Sequence, residues 1–349
     1  MALRNIGLAL AGNVIGDPFY TYYRKLNQNL LLSKDALTHL QLAKLKKLVS
    51  YAKTNITLYR KRFVDFDTET IKSLDDIKVL PLFTKQELAE AGKDAVARDG
   101  KRVVARSTSG TTGAPFHFVV SRDFFSLAIA RHLRILDLAG LKTGDPWVMC
   151  TPIRYKTNAV YSFLTNRLLL DANRVTQERT PPCCPASPRN RLEPDQKTIR
   201  QFCTQIKLHK PKAIFSYPST LIALATYIRK WDVPGIKIKA VISSGETLSQ
   251  ETRKFCAETF SGEVYDLYGT TEFPSIAQEC GEHKGLHIFS DSYFVEFLND
   301  GAILITDLDN YTMPFIRFKI GDYGSLKSNH CTCGRALPLM EITKGRTSD

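Results

Sequence analysis

The sequence predicts an α/β protein in which mostly parallel strands are covered by helices, with a small antiparallel β subdomain after them. Three observations carry this reading. Between Lys212 and Tyr268, short apolar runs alternate with segments of helical period, the signature of a covered parallel sheet. From Leu286 onward the period becomes that of strands joined by tight turns, such as Asn299-Asp300-Gly301. Earlier, Ser107-Thr108-Ser109-Gly110-Thr111-Thr112-Gly113-Ala114-Pro115 lies between two runs rich in β-branched and aromatic residues, as a loop between strands.

In chain order, Ser33 to Phe63 reads as helix, with Leu37, Leu40, Leu45, Leu48 and Ala52 as an apolar stripe and lysines on the remaining face. Thr84-Lys85-Gln86-Glu87 has the spacing of a capping box and starts a short helix. Arg122 to Ala139 is a helix closed by Gly140, and Trp147 to Cys150 a short buried strand. The proline-rich stretch from Thr176 to Pro194, with Cys183-Cys184, is an irregular excursion. Then come strand Lys212–Ser216, helix Pro218–Lys230 with proline in its first turn, strand Lys239–Ser243, helix Ser249–Phe260 and strand Val264–Tyr268. The antiparallel part reads as strands Leu286–Phe297, Gly301–Asp307 and Pro314–Ile320.

The chain has 349 residues, 43% hydrophobic and 24% charged, enough for a large core in more than one lobe. Its net charge of +13 is dispersed and accompanies no nucleic-acid-binding signature, so a basic surface around a site for an anionic ligand is the expectation, and no nucleic-acid partner. Eight cysteines without a long secretory signal point to a reducing, cytoplasmic setting. The mildly apolar Asn5–Gly16 reads as a packed or interfacial segment, and no run reaches membrane-spanning length.

The Ser107–Pro115 run supplies hydroxyls, backbone amides and glycines that let the chain approach a ligand closely, the parts needed to wrap a polyphosphate; a flexible hairpin loop is the plain alternative. It is neither a P-loop, since Ala114 follows Gly113 where lysine is required, nor a dinucleotide fingerprint. Ligands of open α/β sheets sit beyond the carboxyl ends of the strands. There the chain presents Ser216-Tyr217-Pro218, Ser244-Gly245-Glu246 and Tyr268-Gly269-Thr270-Thr271-Glu272.

Four motifs in this order, namely Ser107–Pro115, Tyr268–Glu272, Lys319-Ile320-Gly321-Asp322 and Gly345-Arg346-Thr347-Ser348-Asp349, resemble those of the adenylate-forming enzymes (acyl- and aryl-CoA synthetases, peptide-synthetase adenylation domains, luciferases). Leu80-Pro81-Leu82-Phe83-Thr84-Lys85 and Cys331-Thr332-Cys333-Gly334-Arg335 are similar to the phenylacetate–CoA ligase group, which includes the CapK-type capsule proteins. The resemblance implies a large N-terminal adenylation domain over 1–345, made of a helical lead-in (1–100), an α/β nucleotide-binding core (101–275) and a β-rich subdomain (276–345), with 346–349 as a hinge stub at Asp349. A C-terminal lid domain would follow in such enzymes, and the chain alone is expected to be impaired without it.

The implied chemistry is attack of a carboxylate on the α-phosphate of ATP to form an acyl-adenylate, usually followed by transfer to coenzyme A or another thiol. Ser107, Thr108, Ser109, Gly110, Thr111, Thr112 and Gly113 would hold the leaving phosphates, with Thr108, Thr112 and Glu272 as catalytic candidates. Glu272 would help hold Mg²⁺, a hard ion suited to carboxylate oxygens. Asp322 would accept from the ribose hydroxyls, and Ser244, Gly245, Glu246, Asp266, Tyr268, Gly269, Thr270 and Thr271 complete the ATP/AMP set. The acid, aryl or hydrophobic, would lie near Tyr155, Tyr217, Gly245 and Gly269. Partners are therefore a small carboxylic acid, ATP and coenzyme A, with a homodimer as a further expectation. The rival is a non-catalytic nucleotide- or acyl-binding protein of capsule or exopolysaccharide synthesis.

Cysteine and histidine form a second constellation. Soft thiolates with imidazole suit tetrahedral zinc, and Cys280, His287, Cys331 and Cys333 are the favoured ligands, with His283 as the substitute for His287. Such a zinc would be structural.

Overall fold

In the computed structural model, residues 18–98, 103–108, 115–152, 159–175 and 195–345 are described. Two compact units divide the described residues: those within 135–267 form one, and those within 18–134 and 268–345 the other. The helical lead-in and the β-rich stretch thus belong to one unit, and the parallel α/β stretch is a unit of its own.

The second unit begins with helices α1 (Phe19–Asn29), α2 (Lys34–Asn55), α3 (Thr57–Arg62) and α4 (Lys85–Ala91). In α2 the Ser33 hydroxyl accepts the Ala36 amide, and of the predicted stripe Leu37, Leu45, Leu48 and Ala52 are buried while Leu40 is only half-buried. At α4 the Thr84 hydroxyl accepts the Glu87 amide and the Glu87 carboxylate accepts the Thr84 amide, the reciprocal pair that the spacing predicts. Strands β1 (Val103–Ser107) and β2 (His117–Ser121) form an antiparallel hairpin and lead into α5 (Arg122–Leu138). Gly140 has φ +77°, as a left-handed helix stop requires.

The parallel unit follows: β3 (Trp147–Thr151), α6 (Ala159–Leu164), β4 (Arg167–Asp171), α7 (Gln196–His209), β5 (Ala213–Ser216), α8 (Pro218–Lys230), β6 (Ala240–Ser244), α9 (Gln250–Phe260) and β7 (Glu263–Tyr268). Strand order is β7-β6-β5-β3-β4, with the pairs β6–β7, β5–β6, β3–β5 and β3–β4 all parallel. Every residue of β5 and β6 is buried, as strands covered on both faces must be. The core joins Val148, Ile214 and Val241 from strands to Phe202, Leu221, Leu224 and Phe260 from helices.

The edge where these strands begin also carries helix C-termini: α7 stops at left-handed Lys210 and α9 at left-handed Ser261. Lys210, Lys212, Lys237 and Lys239 line a cleft of about 520 Å³ there. Cations complement the carbonyl ends of helices, so this part of the positive charge has a structural use.

The second unit resumes with β8 (Ala277–Gln278), β9 (Leu286–Ile288), β10 (Tyr293–Phe297), β11 (Ala302–Asp307), β12 (Phe318–Leu326) and β13 (Leu339–Lys344), in the order β10-β11-β12-β13-β9-β8. Two strand expectations need correction. Leu286–Phe297 is not continuous: a turn in which the Ser292 amide bonds the Phe289 carbonyl (2.9 Å) separates β9 from β10. Pro314–Ile320 does not begin a strand at Pro314. Arg317 stands at φ +48°, and its guanidinium bonds the Glu296 carboxylate (3.0–3.1 Å) and the backbone carbonyls of Lys78 and Leu80. That buried anchorage overrides the extended pattern, so β12 starts at Phe318 and runs through Gly321-Asp322.

The same anchorage seats the Leu80–Lys85 stretch. The Phe83 amide bonds the Arg317 carbonyl (3.1 Å), and the Lys319 amide bonds the Phe83 carbonyl (2.8 Å). Phe83 then packs edge-on against Tyr59 and Phe63, while Phe116, Phe118, Phe273, Phe315 and Phe318 form a second aromatic group. Among the described residues, no helix is long and apolar enough to cross a membrane.

Candidate functional site

The hairpin pins the base of the hydroxyl-rich loop. Ser107 pairs with His117, the Thr108 amide bonds the Phe116 carbonyl (3.0 Å), and the Phe116 amide bonds the Thr108 hydroxyl oxygen (3.1 Å). Buried Thr108 therefore closes the loop, and its hydroxyl proton stays available to donate. Ser109, Gly110, Thr111, Thr112 and Gly113 lie outside the described residues, as do Tyr155 and Asp349.

Tyr268 to Glu272 is held by close backbone packing. A Cβ on Gly269 would lie 2.6 Å from the Pro274 carbonyl oxygen, so only glycine fits. The Thr270 amide bonds the Phe273 carbonyl (2.8 Å), and the Phe273 amide returns to the Thr270 hydroxyl (3.2 Å). This turn carries Glu272 inward: the side chain is buried, and its Oε2 has no hydrogen-bond partner among the described residues. A buried carboxylate oxygen without a donor is costly, which marks it as a place for a cation or a donor from outside.

Asp322 lies on β12, where Phe318, Ile320, Asp322 and Gly324 alternate as the buried positions. Its carboxylate accepts the Tyr268 phenol at 2.8 Å. Two motifs separated by 54 residues meet in this bond. Gly321-Asp322 is thus strand rather than turn.

In the parallel unit, Tyr217 is the N-cap of α8 yet supplies no side-chain cap bond. The cap comes from the neighbouring strand end: the Glu246 carboxylate accepts the Ser219 amide (2.9 Å) and the Ser219 hydroxyl (2.7 Å). Between them Gly245 stands at φ +82°, and a Cβ there would fall 2.8 Å from Tyr217 Cε1. Ser244 is buried at the end of β6, and Asp266 is half-buried on β7. Ser219 was not among the expected residues; a helix that opens Tyr-Pro, without a capping side chain of its own, was the available signal.

The four favoured metal ligands come together. The ligand atoms of Cys280, His287, Cys331 and Cys333 lie within 4.8 Å of one another. Cys280 Sγ is 3.6 Å from Cys331 Sγ and 3.3 Å from His287 Nε2, which is 3.4 Å from Cys333 Sγ. Tetrahedral bonds of ~2.0 and ~2.3 Å imply ligand separations of roughly 3.5–3.8 Å, close to these. His283 turns away at φ +48° to meet the Glu279 carboxylate at 3.2 Å, so it is not the fourth ligand of this cluster.

Burial pushes the Cys280 thiol up to about 12, with Cys331 and Cys333 adding to the shift. At Cys333 burial acts the same way, but the Arg335 amide and the neighbouring thiols outweigh it and lower the pKa. Burial also holds His287 below its usual value, neutral as a metal ligand must be.

No protein-family model matches the chain. The phenylacetate–coenzyme A ligases of Thermus thermophilus and Escherichia coli are each 26% identical to it, over 91% and 93% of the chain and 72% and 74% of their own lengths. Protein CapK of Staphylococcus aureus is 19% identical over 93% of the chain and 71% of its length. Among solved structures, 2-hydroxyisobutyryl-CoA ligase with its acyl-AMP and CoA matches with a TM-score of 0.73 at 19% identity, covering 91% of this chain and 76% of that one. In sequence the chain is thus similar to the phenylacetate–coenzyme A ligases, and in fold to 2-hydroxyisobutyryl-CoA ligase.

Proposed function

We propose that the protein activates a carboxylic acid with ATP and passes the acyl group to coenzyme A. The observation that carries this reading is the pairing of the turn at Tyr268–Glu272 with Asp322. It sets one buried carboxylate with an unpartnered oxygen close in sequence to a tyrosine tied to a second carboxylate. The first suits a cation that accompanies phosphates, and the second suits vicinal ribose hydroxyls. The relatives named phenylacetate–coenzyme A ligase support the same reaction class.

In the first half-reaction a carboxylate oxygen bonds the α-phosphorus while the bond to the bridging oxygen of pyrophosphate breaks. In the second, the thiol sulfur bonds the acyl carbon and AMP leaves. Such transfers depend on positioning and charge neutralisation more than on covalent chemistry by the protein. The Ser107–Gly113 loop would hold the leaving phosphates, with Thr108 fixing its base. Tyr268 would orient Asp322 toward the ribose, and Ser244, Gly245 and Asp266 would border the adenine. Tyr217, Gly245 and Gly269 would face the acid.

Glu272 fits a magnesium ion, whose hard charge would neutralise phosphate oxygens. Cys280, His287, Cys331 and Cys333 fit a structural zinc ion, which would tie β9 to the Cys331–Cys333 segment and contribute its binding energy to folding.

Carboxylate-dependent ATP–pyrophosphate exchange by the complete gene product, over a panel of aryl and aliphatic acids, tests the reading. Exchange with an aryl or hydrophobic acid is the expected result. Mg·ATP binding without exchange for any acid would overturn it.

A further inference from the structure

Glu246 entered the sequence reading as a neighbour of adenine, but its carboxylate is already engaged. Both oxygens face Ser219, one on the backbone amide at 2.9 Å and one on the hydroxyl at 2.7 Å. Ser219 is the second residue of α8, after Pro218, and the helix has no acidic residue in its first turn. The free amides and positive end of a helix favour a carboxylate at this point. The bond therefore ties the loop after β5 to the loop after β6, at the end of the sheet where those strands finish.

What lies between the two tied loops gives the tie a consequence. Tyr217 immediately precedes α8 and Gly245 immediately precedes Glu246, and the two are in contact. Gly245 has φ +82° and leaves no room for a Cβ, which would meet Tyr217 Cε1 at 2.8 Å and Cδ1 at 3.1 Å. The ring thus rests on the bare backbone of Gly245. Its position is set from both sides by neighbours of the Ser219–Glu246 bond.

We propose that Glu246 and Ser219 are positioning residues for the acid substrate: their bidentate bond fixes the Tyr217 ring against Gly245 and so sets the width and plane of the acid-facing surface. This rests on the ligase reading above and refines the same site. A ring held close against backbone leaves a narrow surface that favours a planar aryl acid over a branched aliphatic one of similar volume. Adenine recognition by the Glu246 carboxylate is the competing role, and the two roles act on different Michaelis constants.

The test is steady-state kinetics of the complete gene product with the acid that best supports exchange, comparing the parent with Glu246→Ala, Glu246→Gln and Ser219→Ala. Displacing a positioning group by about an ångström costs up to ~100-fold in rate, so Glu246→Ala should raise the acid KM roughly tenfold while the ATP KM stays within about twofold. Its preference for planar over branched acids should shrink, and Glu246→Gln, which keeps an acceptor for the Ser219 amide, should recover most of the loss. Ser219→Ala removes one bond and little volume, so it reads the same effect at smaller size if Glu246→Ala folds poorly. A rise in the ATP KM with the acid KM unchanged would overturn the proposal in favour of adenine contact. No change in either constant or in acid preference would overturn it as well. Absence of exchange with every acid in the parent would remove the ligase reading itself, a result distinct from both.

Discussion

Two buried polar clusters in the same unit are built on opposite plans. Lys44, Arg131 and Arg134 meet Asp291, Asp307 and Asp309, as many cations as carboxylates, with Arg134 to Asp291 at 2.7 Å, Arg131 to Asp309 at 2.9 Å and Lys44 to Asp309 at 2.5 Å. Tyr293 and Asn29 add hydrogen bonds to Arg131 and Asp291. That network balances its own charge, although Asp307 Oδ2 keeps no hydrogen-bond partner among the described residues. Cys280, His287, Cys331 and Cys333 are equally drawn together, yet every one is a donor to a cation and none is a counter-charge. A buried cluster that balances its own charge is architecture, whereas one made only of metal-donor side chains is a candidate site.

The largest effect should come from breaking the second plan. A structural zinc site contributes on the order of 10 kcal/mol, so metal analysis should find one zinc per chain, and a strong chelator should lower the melting temperature steeply. Cys331→Ser should lose the metal and melt near the chelated protein. A metal-free protein with an unchanged melting curve would break the comparison.

The balanced network should respond differently. Arg134→Met leaves Asp291 buried without its partner and should cost about 3–5 kcal/mol by urea denaturation, whether or not metal is bound. Replacing Asp291 with leucine in the same protein should recover much of that loss, because removing both charges removes the desolvation cost as well. If the double variant is no better than the single one, the network is more than a self-contained ion cluster.

Glu272 belongs to neither cluster, and its buried Oε2 has no hydrogen-bond partner among the described residues. Glu272→Gln should leave the urea midpoint nearly unchanged and lower acid-dependent exchange by about 10²–10³-fold, the scale of losing one electrostatic group at a reacting centre. A large loss of stability would instead mark this carboxylate as structural.

The smallest effect is that of pH. Burial alone would raise the pKa of Asp291, but Arg134 and Lys44 outweigh it and hold the carboxyl below its ordinary value. Its contribution is therefore present above the unfolded pKa, ~3.9, and is lost as pH falls through the lower native value. Acid unfolding should steepen below about pH 4, and that steepening should vanish when Asp291 and Arg134 are both replaced.

The parallel unit was legible because local rules and tertiary outcome agree there. Pro218 opens α8, Ser249 caps α9, and the apolar runs of β5 and β6 are buried on both faces. Elsewhere the chain hides its partners. Arg131 and Arg134 lie within the predicted helix Arg122–Ala139, and nothing local marks that both are fully buried against residues more than 150 positions away. Arg317 interrupts an apparently extended run because Glu296 and two distant carbonyls hold it. Residue types and spacing favoured His287 over His283 in the candidate metal-ligand set, and the Glu279 carboxylate, which draws His283 away, agrees with that choice. At the nucleotide motifs, residue types were readable and their contacts were not. The Tyr268–Asp322 bond and the Glu246–Ser219 bond both join separate segments, and no local pattern encodes them.

The ligase account is tested most directly by product analysis of the complete gene product with Mg·ATP, coenzyme A and the acid that supports exchange. Adenylation followed by thioester formation predicts AMP, pyrophosphate and acyl-CoA in equal amounts, each dependent on the acid. ADP and phosphate in place of AMP and pyrophosphate, or AMP release without any acyl-CoA, would contradict it.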